Sequence, residues 1–148
     1  MSVIRKVQPS DKQAYLALVR EFYDSDAVLI RPSEDAWLAT FDEMIHSDTY
    51  VECFLVEHEG TPAGFALIAK TFSQEAGGMV LWLEELYIQP GYRGFGLGGD
   101  LISFLSERYN ATYKRMRLEI EPENEGAVRL YRRHGFEDYP YSQMKADL

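Results

Sequence analysis

The chain carries a single cysteine, Cys53, among 148 residues. No internal disulfide can form, so stability must come from a packed core, and a reducing compartment is expected. Long apolar runs are missing too. Nothing approaches the roughly 18 residues needed to span a bilayer, and the opening "MSVIRKVQPSD" lacks the apolar stretch of a secretion signal. The expectation is a cytoplasmic protein with no membrane partner. Positive charge is scarce, with 15 lysines and arginines against 24 acidic residues and a net charge of -9. Nucleic acid is therefore a poor partner, because phosphate binding needs a basic face. A cationic small molecule suits the balance better. The histidines His46, His58 and His134 have no helical or hairpin spacing that would make a metal site, so no metal is expected.

What is present fits one domain, residues 1–148, around one core. "VIRKV" alternates as a first strand, and "PSDKQAYLALVREFY" reads as a helix with Ser10 as N-cap and Gln13 completing a capping box. A second helix, "PSEDAWLATFDEMI", is capped by Ser33 and sets Trp37, Phe41, Met44 and Ile45 at helical spacing. Three strands follow, "YVECFLVEHEG", "TPAGFALIAKTF" and "MVLWLEELYI", joined by short turns that favour antiparallel pairing. A third helix starts within or just after the next glycines, placing Leu97, Leu101 and Leu105 four apart. "RMRLEIE" is another strand, with Met116, Leu118 and Ile120 on one face. Asn124 opens a fourth helix that stops at Gly135, and "FEDYPYSQMKADL" is a closing edge strand interrupted by Pro140. The expected class is α/β (α+β), a mixed and mostly antiparallel central sheet flanked by about four helices, in the order β-α-α-β-β-β-α-β-α-β.

The segment "RGFGLGG" places four glycines within six positions, between a strand and a helix. A helix start offers unpaired N–H groups and the positive end of the dipole, and glycine lets a phosphate approach the main chain. The segment thus reads as a pyrophosphate cradle, with Arg93 adding charge. Gly94, Gly96 and Gly99 also satisfy the dinucleotide spacing G-x-G-x-x-G. Against that reading, "QPGYR" separates the glycines from their strand, the motif comes late, and too little chain follows for a second half-sheet. A Walker loop is excluded, since no lysine followed by serine or threonine ends the run.

"LEELYIQPGYRGFGLGGDLI" followed by "ENEGAVRLYRRHGF" resembles the GNAT superfamily of N-acetyltransferases. The family's acetyl-CoA motif is matched by Arg93, Gly96 and Gly98. Its later motif is matched by Asn124, Tyr131, Gly135 and Phe136. The resemblance implies acetyl-CoA as cosubstrate, its pyrophosphate held by the amides of Gly94, Phe95, Gly96, Leu97, Gly98 and Gly99, and its pantetheine near Asn124. It implies further that the strand carrying Leu86, Tyr87 and Ile88 splays from its neighbour so that the pantetheine pairs with its backbone. An N–H near Leu86 would then serve as oxyanion hole. A homodimer is implied as well.

A free alkyl amine has a pKa near that of lysine, about 10.4, so only about one molecule in a thousand is nucleophilic at neutral pH and a base is needed. The family often places a carboxylate on this strand, and "LEELYI" resembles the "LED" arrangement of the polyamine and thialysine branch. Strand alternation sends Glu84 and Glu85 to opposite faces. Glu84 is the expected base, with Glu85 as an amine-binding carboxylate or as the base itself. The resemblance makes Tyr131 the acid that protonates the departing thiolate. Cys53, among apolar strand neighbours, reads as a buried small hydrophobe. The acceptor is expected to be a primary amine, in a polyamine, amino acid, aminoglycoside or peptide. Asp24, Asp26 and the glutamate pair favour a cationic one. The rival from another class is a noncatalytic acyl-CoA-binding sensor or assembly module.

Overall fold

The computed structural model describes all 148 residues. Five strands form one sheet in the order β1-β2-β3-β4-β5: β1 (Ser2–Lys6), β2 (Val51–His58), β3 (Thr61–Ser73), β4 (Gly78–Ile88) and β5 (Arg115–Leu118). The first four pair antiparallel and β5 runs parallel to β4. β3 lies at the centre, and its run Ala63–Ile68 is buried on both faces, which is why it reads as continuously apolar. At Gly64 the backbone of β4 comes so close that a Cβ would stand 2.2 Å from the Tyr87 carbonyl oxygen.

Helices α1 (Lys12–Tyr23) and α2 (Glu34–His46) cover one face. They pack Tyr15, Val19 and Phe22, and Trp37, Phe41 and Met44, against Cys53, Leu55, Phe65, Leu67 and Tyr87. On the other face α3 (Leu97–Tyr109) lays Leu97, Leu101, Leu105 and Tyr109 on Phe54, Val56, Ala66, Ile68, Leu81 and Leu83. The four-residue spacing supplies the stripe, and strand alternation supplies the two faces. α4 (Glu125–Arg133) adds Tyr131 at the margin of this second layer. No helix is long and apolar enough to cross a membrane.

Ser33 and Asn124 cap α2 and α4, each accepting the N–H three residues on at 3.3 Å. α1 departs from expectation. Pro9 opens a short 3₁₀ turn, Pro9–Asp11, which takes Ser10 inside it. The reciprocal capping box is instead Gln8 with Asp11, the Gln8 N–H donating to Asp11 Oδ2 at 2.7 Å. Arg5 clamps the same carboxylate at 2.8 and 2.9 Å.

The closing strand is a second correction, because residues 136–148 form no strand and the element order ends at α4. Pro140 removes a ladder donor. The large side chains Tyr139, Tyr141 and Met144 are 39%, 65% and 100% exposed, so no buried face specifies a register. Tyr139 instead engages Glu75 and accepts from Arg115 at 2.7 Å.

Besides Asp11, a second carboxylate is buried. Glu52 of β2, 3% exposed, meets Lys70 of β3 at 2.7 Å, Lys6 of β1 at 3.2 Å and the donating hydroxyl of Tyr109 in α3. Burial alone would raise its carboxyl, but the hydrogen bonds from Lys70, Tyr109 and Lys6 outweigh that and hold it below the ordinary carboxylate range. Cys53 is buried and its thiol is pushed upward by desolvation, which leaves it inert.

Candidate active site

The register between β3 and β4 breaks in the middle. Leu67 stands opposite Glu85 and Ile68 opposite Leu83, so Glu84 is an extra residue with no partner. Such a bulge resets strand alternation. Leu81 and Leu83 face α3, and so do Leu86 and Ile88, although Leu83 and Leu86 are three positions apart. Glu84 continues the side of Trp82, and Glu85 shares that of Tyr87, toward α1 and α2. The two glutamates therefore lie on one face, contrary to simple alternation.

Glu85 is the more enclosed of the pair. Its Oε2 accepts from the hydroxyl of Tyr23, at the end of α1, and its Oε1 is buried without a partner. Desolvation pushes its carboxyl up to about 7; the Tyr23 hydrogen bond pulls it down and the charge of Glu84 pushes it further up. Glu84 reaches solvent, yet partial desolvation and the like charge of Glu119 raise it as well. It opens on a cavity of about 410 Å³ lined by Trp82, Arg117, Glu119, Gln143 and Met144. The Arg117 guanidinium lies over the Trp82 ring at 4.3 Å. No basic side chain forms an ion pair with Glu84, Glu85 or Glu119. Asp24, by contrast, is paired with Arg31 at 2.9 Å, which weakens its case as a cation ligand. No three metal-ligating side chains are grouped where they could hold an ion.

The same stretch of β4 is open on its other edge. β5 pairs with Val80–Leu83 and stops, so the backbone from Glu84 to Ile88 runs on with no β5 neighbour. Beyond Ile88 the chain turns through Pro90–Tyr92, and Arg93 ties the turn back by donating to the Ile88 carbonyl at 2.9 Å. Gly94 and Gly96 adopt φ of 88° and 80°, the left-handed region glycine reaches without strain. Gly96 caps α3, whose first internal bond runs from the Asp100 N–H at 3.0 Å. The amides from Gly94 to Gly99 donate to no protein acceptor, so donors and the helix dipole are offered together to an anion. Gly98 and Gly99 serve a different end. A Cβ there would lie 3.2 Å from Leu130 and from His134 respectively, so these glycines let α3 and α4 approach. Phe95, part of the same loop, rests against His58 with ring centroids 4.8 Å apart.

Tyr131 lies across the sheet from the glutamates, packed against the same core cluster as Leu86 and Ile88. Burial pushes its hydroxyl up to about 12. Asn124 spends its Oδ1 on capping α4, which leaves its amide nitrogen free to donate. Sequence reasoning missed Tyr23 and Glu119. Nothing marked Tyr23 apart from its aromatic neighbours, but the phase jump in the apolar stripe between Leu83 and Leu86 was a readable sign of the bulge.

The pattern described as the Acetyltransferase (GNAT) family matches residues 16–136. The chain belongs to the GNAT family. Among its relatives, the spermine/spermidine N(1)-acetyltransferase of Bacillus subtilis (strain 168) is 32% identical over 84 residues, 54% of this chain and 55% of that one. The match thus spans about half the length of that relative. The thialysine N-epsilon-acetyltransferase of Mus musculus is 26% identical over 151 residues, covering 95% of this chain and 86% of its own. The structure of AAC(6')-Iy in complex with the bisubstrate analog CoA-S-monomethyl-acetylneamine superposes with a TM-score of 0.83 at 20% identity, covering 100% of this chain and 99% of that one. Ribosomal-protein-alanine N-acetyltransferase from Brucella melitensis biovar Abortus 2308 gives 0.76 at 16% identity, with 100% of both chains covered. At these identities the two structures establish the fold.

Proposed function

We propose that this GNAT domain, residues 1–148, transfers the acetyl group of acetyl-CoA to a primary amine of a small cationic acceptor by direct attack in a ternary complex. The observation that carries the proposal is the departure of β4 from β5 after Leu83, with two carboxylates at the point of departure and unpaired amides just beyond it. Those amides would hold the coenzyme pyrophosphate, with Arg93 adding charge nearby. The free edge of Leu86, Tyr87 and Ile88 would pair with the pantetheine, and Asn124 would donate near it. The bound coenzyme supplies an activated acetyl thioester.

The remaining work falls to side chains. Glu85, rather than Glu84, is the better base, because its buried Oε1 lacks a partner and its carboxyl stands near neutrality, where a base is most effective. Glu84 and Glu119 line the cavity through which a cationic amine approaches. A backbone N–H near Leu86 would face the oxyanion, and Tyr131, on the far side of the strand, would return a proton to the departing sulfur. Amine and leaving group are thereby kept on opposite faces of β4. Relatives named for spermine and thialysine support a cationic acceptor. The proposal extends to a homodimer in the cytoplasm, as is common in the family.

The test is thiol release from acetyl-CoA against spermine, thialysine, neamine and a peptide, with calorimetric coenzyme binding on the same sample. Release with a cationic amine is expected. Binding without release across the panel would favour the noncatalytic module, and absence of binding would overturn the reading of the glycines.

A further inference from the structure

The two oxygens of Glu85 differ in circumstance. Oε2 accepts the Tyr23 hydroxyl, whereas Oε1 is buried and free of any partner. Tyr23 reaches the carboxylate from another layer of the fold, and its ring is fixed by aromatic neighbours. It stacks on Trp37 of α2 with centroids 5.8 Å apart and planes 16° from parallel, and stands edge-on to Phe22 at 4.9 Å. Stacking and edge contacts constrain the ring plane, so the hydroxyl is aimed rather than free to wander.

We infer that Tyr23 is a positioning residue for acetyl transfer, holding Oε2 of Glu85 so that Oε1 is the atom presented to the acceptor amine. This inference rests on Glu85 being the base. A tyrosine hydroxyl has one hydrogen to donate, and that hydrogen is committed to Oε2. As the amine attacks, its N–H bond breaks and an O–H bond forms at Oε1. The bond from Tyr23 persists through the step, since Oε2 stays an acceptor in the neutral acid.

The groups facing Glu85 are Glu84 from β4, Tyr23 and Tyr15 from α1, and Cys53 from β2. Burial pushes Tyr15, Tyr23 and Cys53 upward, which keeps all three neutral near pH 7. The remaining influences oppose each other: Tyr23 favours the carboxylate and Glu84 disfavours it. A hydrogen bond to the charged form lowers a pKa, so its removal must raise it.

The experiment compares wild type with Tyr23→Phe, which keeps the ring and its stacking but deletes the donor. Carbon-13 NMR titration of the glutamate carboxylates follows Glu85 directly, its resonance assigned by its loss in Glu85→Gln. Glu85 should titrate about one pH unit higher or more in Tyr23→Phe. The acid limb of kcat/KM with spermine, thialysine or neamine should move with it, lowering the rate several-fold at mildly acid pH and restoring it in alkali. An unmoved Glu85 titration overturns the positioning role, whatever happens to the overall rate. Wild-type turnover in Glu85→Gln would instead sink the underlying assignment of the base. Should Tyr23→Phe fail to fold, fluorotyrosine incorporation gives a stronger donor at the same place. The Glu85 titration should then fall, and no change would count against the inference.

Discussion

Glu84 and Glu85 are consecutive in the chain and face the same side of the sheet, because the bulge in β4 leaves Glu84 without an opposite residue on β3. Two carboxylates so close cannot both ionise cheaply. Desolvation pushes the enclosed one, Glu85, up to about 7, with the charge of Glu84 adding to it, and the exposed one opens on the adjoining cavity.

Glu85 gives the protein a pH signature of known sign. Its folded pKa of about 7 lies above the ordinary carboxylate value of 4.5, so the native state holds this proton more tightly than the unfolded chain does. Between those values stability falls as pH rises, by at most about 3 kcal/mol. Glu85→Gln should remove that penalty, raising Tm at pH 8 relative to wild type while cutting turnover by about 10²–10⁴-fold. Paired thermal melts and rate assays across the range check it; equal Tm changes at low and high pH would contradict the linkage.

Tyr131 keeps its proton at every pH the assay uses, since burial pushes its hydroxyl to about 12. Tyr131→Phe should lower kcat by about 10²-fold or more with coenzyme affinity nearly unchanged. Calorimetry and steady-state rates on one preparation separate the two. Unchanged turnover would remove Tyr131 from the chemistry.

Gly64 permits close contact between β3 and the end of β4. A methyl group there meets the Tyr87 carbonyl oxygen at 2.2 Å and Ile88 Cδ1 at 2.7 Å. Gly64→Ala should cost about 1–3 kcal/mol through overpacking. It should also displace the strand that borders the gap, weakening coenzyme binding although residue 64 lies outside it. Denaturant melts and calorimetry measure both effects.

Glu52 carries the opposite linkage from Glu85. Its folded pKa is depressed, so its contribution is present above the carboxylate range and is lost as pH falls through it. Glu52→Gln should destabilise by about 3 kcal/mol at neutral pH, leaving Lys70 poorly matched, and should flatten the acid limb of the stability profile. An unchanged acid unfolding midpoint would show that the cluster bears little weight.

Much of the fold could be read from single segments, because local pattern and burial agree there. The stripe Trp37, Phe41 and Met44 behind Ser33, the run Ala63–Ile68, and the span from Asn124 to Gly135 all formed the elements their chemistry favours. The misreadings came where one segment depends on another. Whether Glu84 and Glu85 share a face depends on the mismatch of β4 with β3; the phase jump from Leu83 to Leu86 signals it, but only the pairing with β3 fixes which residue is extra. Ser10 lost its cap to a turn begun by Pro9. The tail after Phe136 read as an edge strand interrupted by Pro140 but has no surface to bury. Tyr23 became visible only when α1 docked against the sheet and brought its hydroxyl to Glu85.

The unpaired edge of β4 has a consequence for stability. Between Glu84 and Ile88 the sheet contains a seam, a length of backbone whose hydrogen-bonding capacity toward β5 is unspent. A ligand that pairs along that seam acts as a missing strand, so binding and the completion of the fold become one event. Exchange of the Leu86 to Ile88 amides should then slow, and melting temperature rise, with increasing ligand concentration.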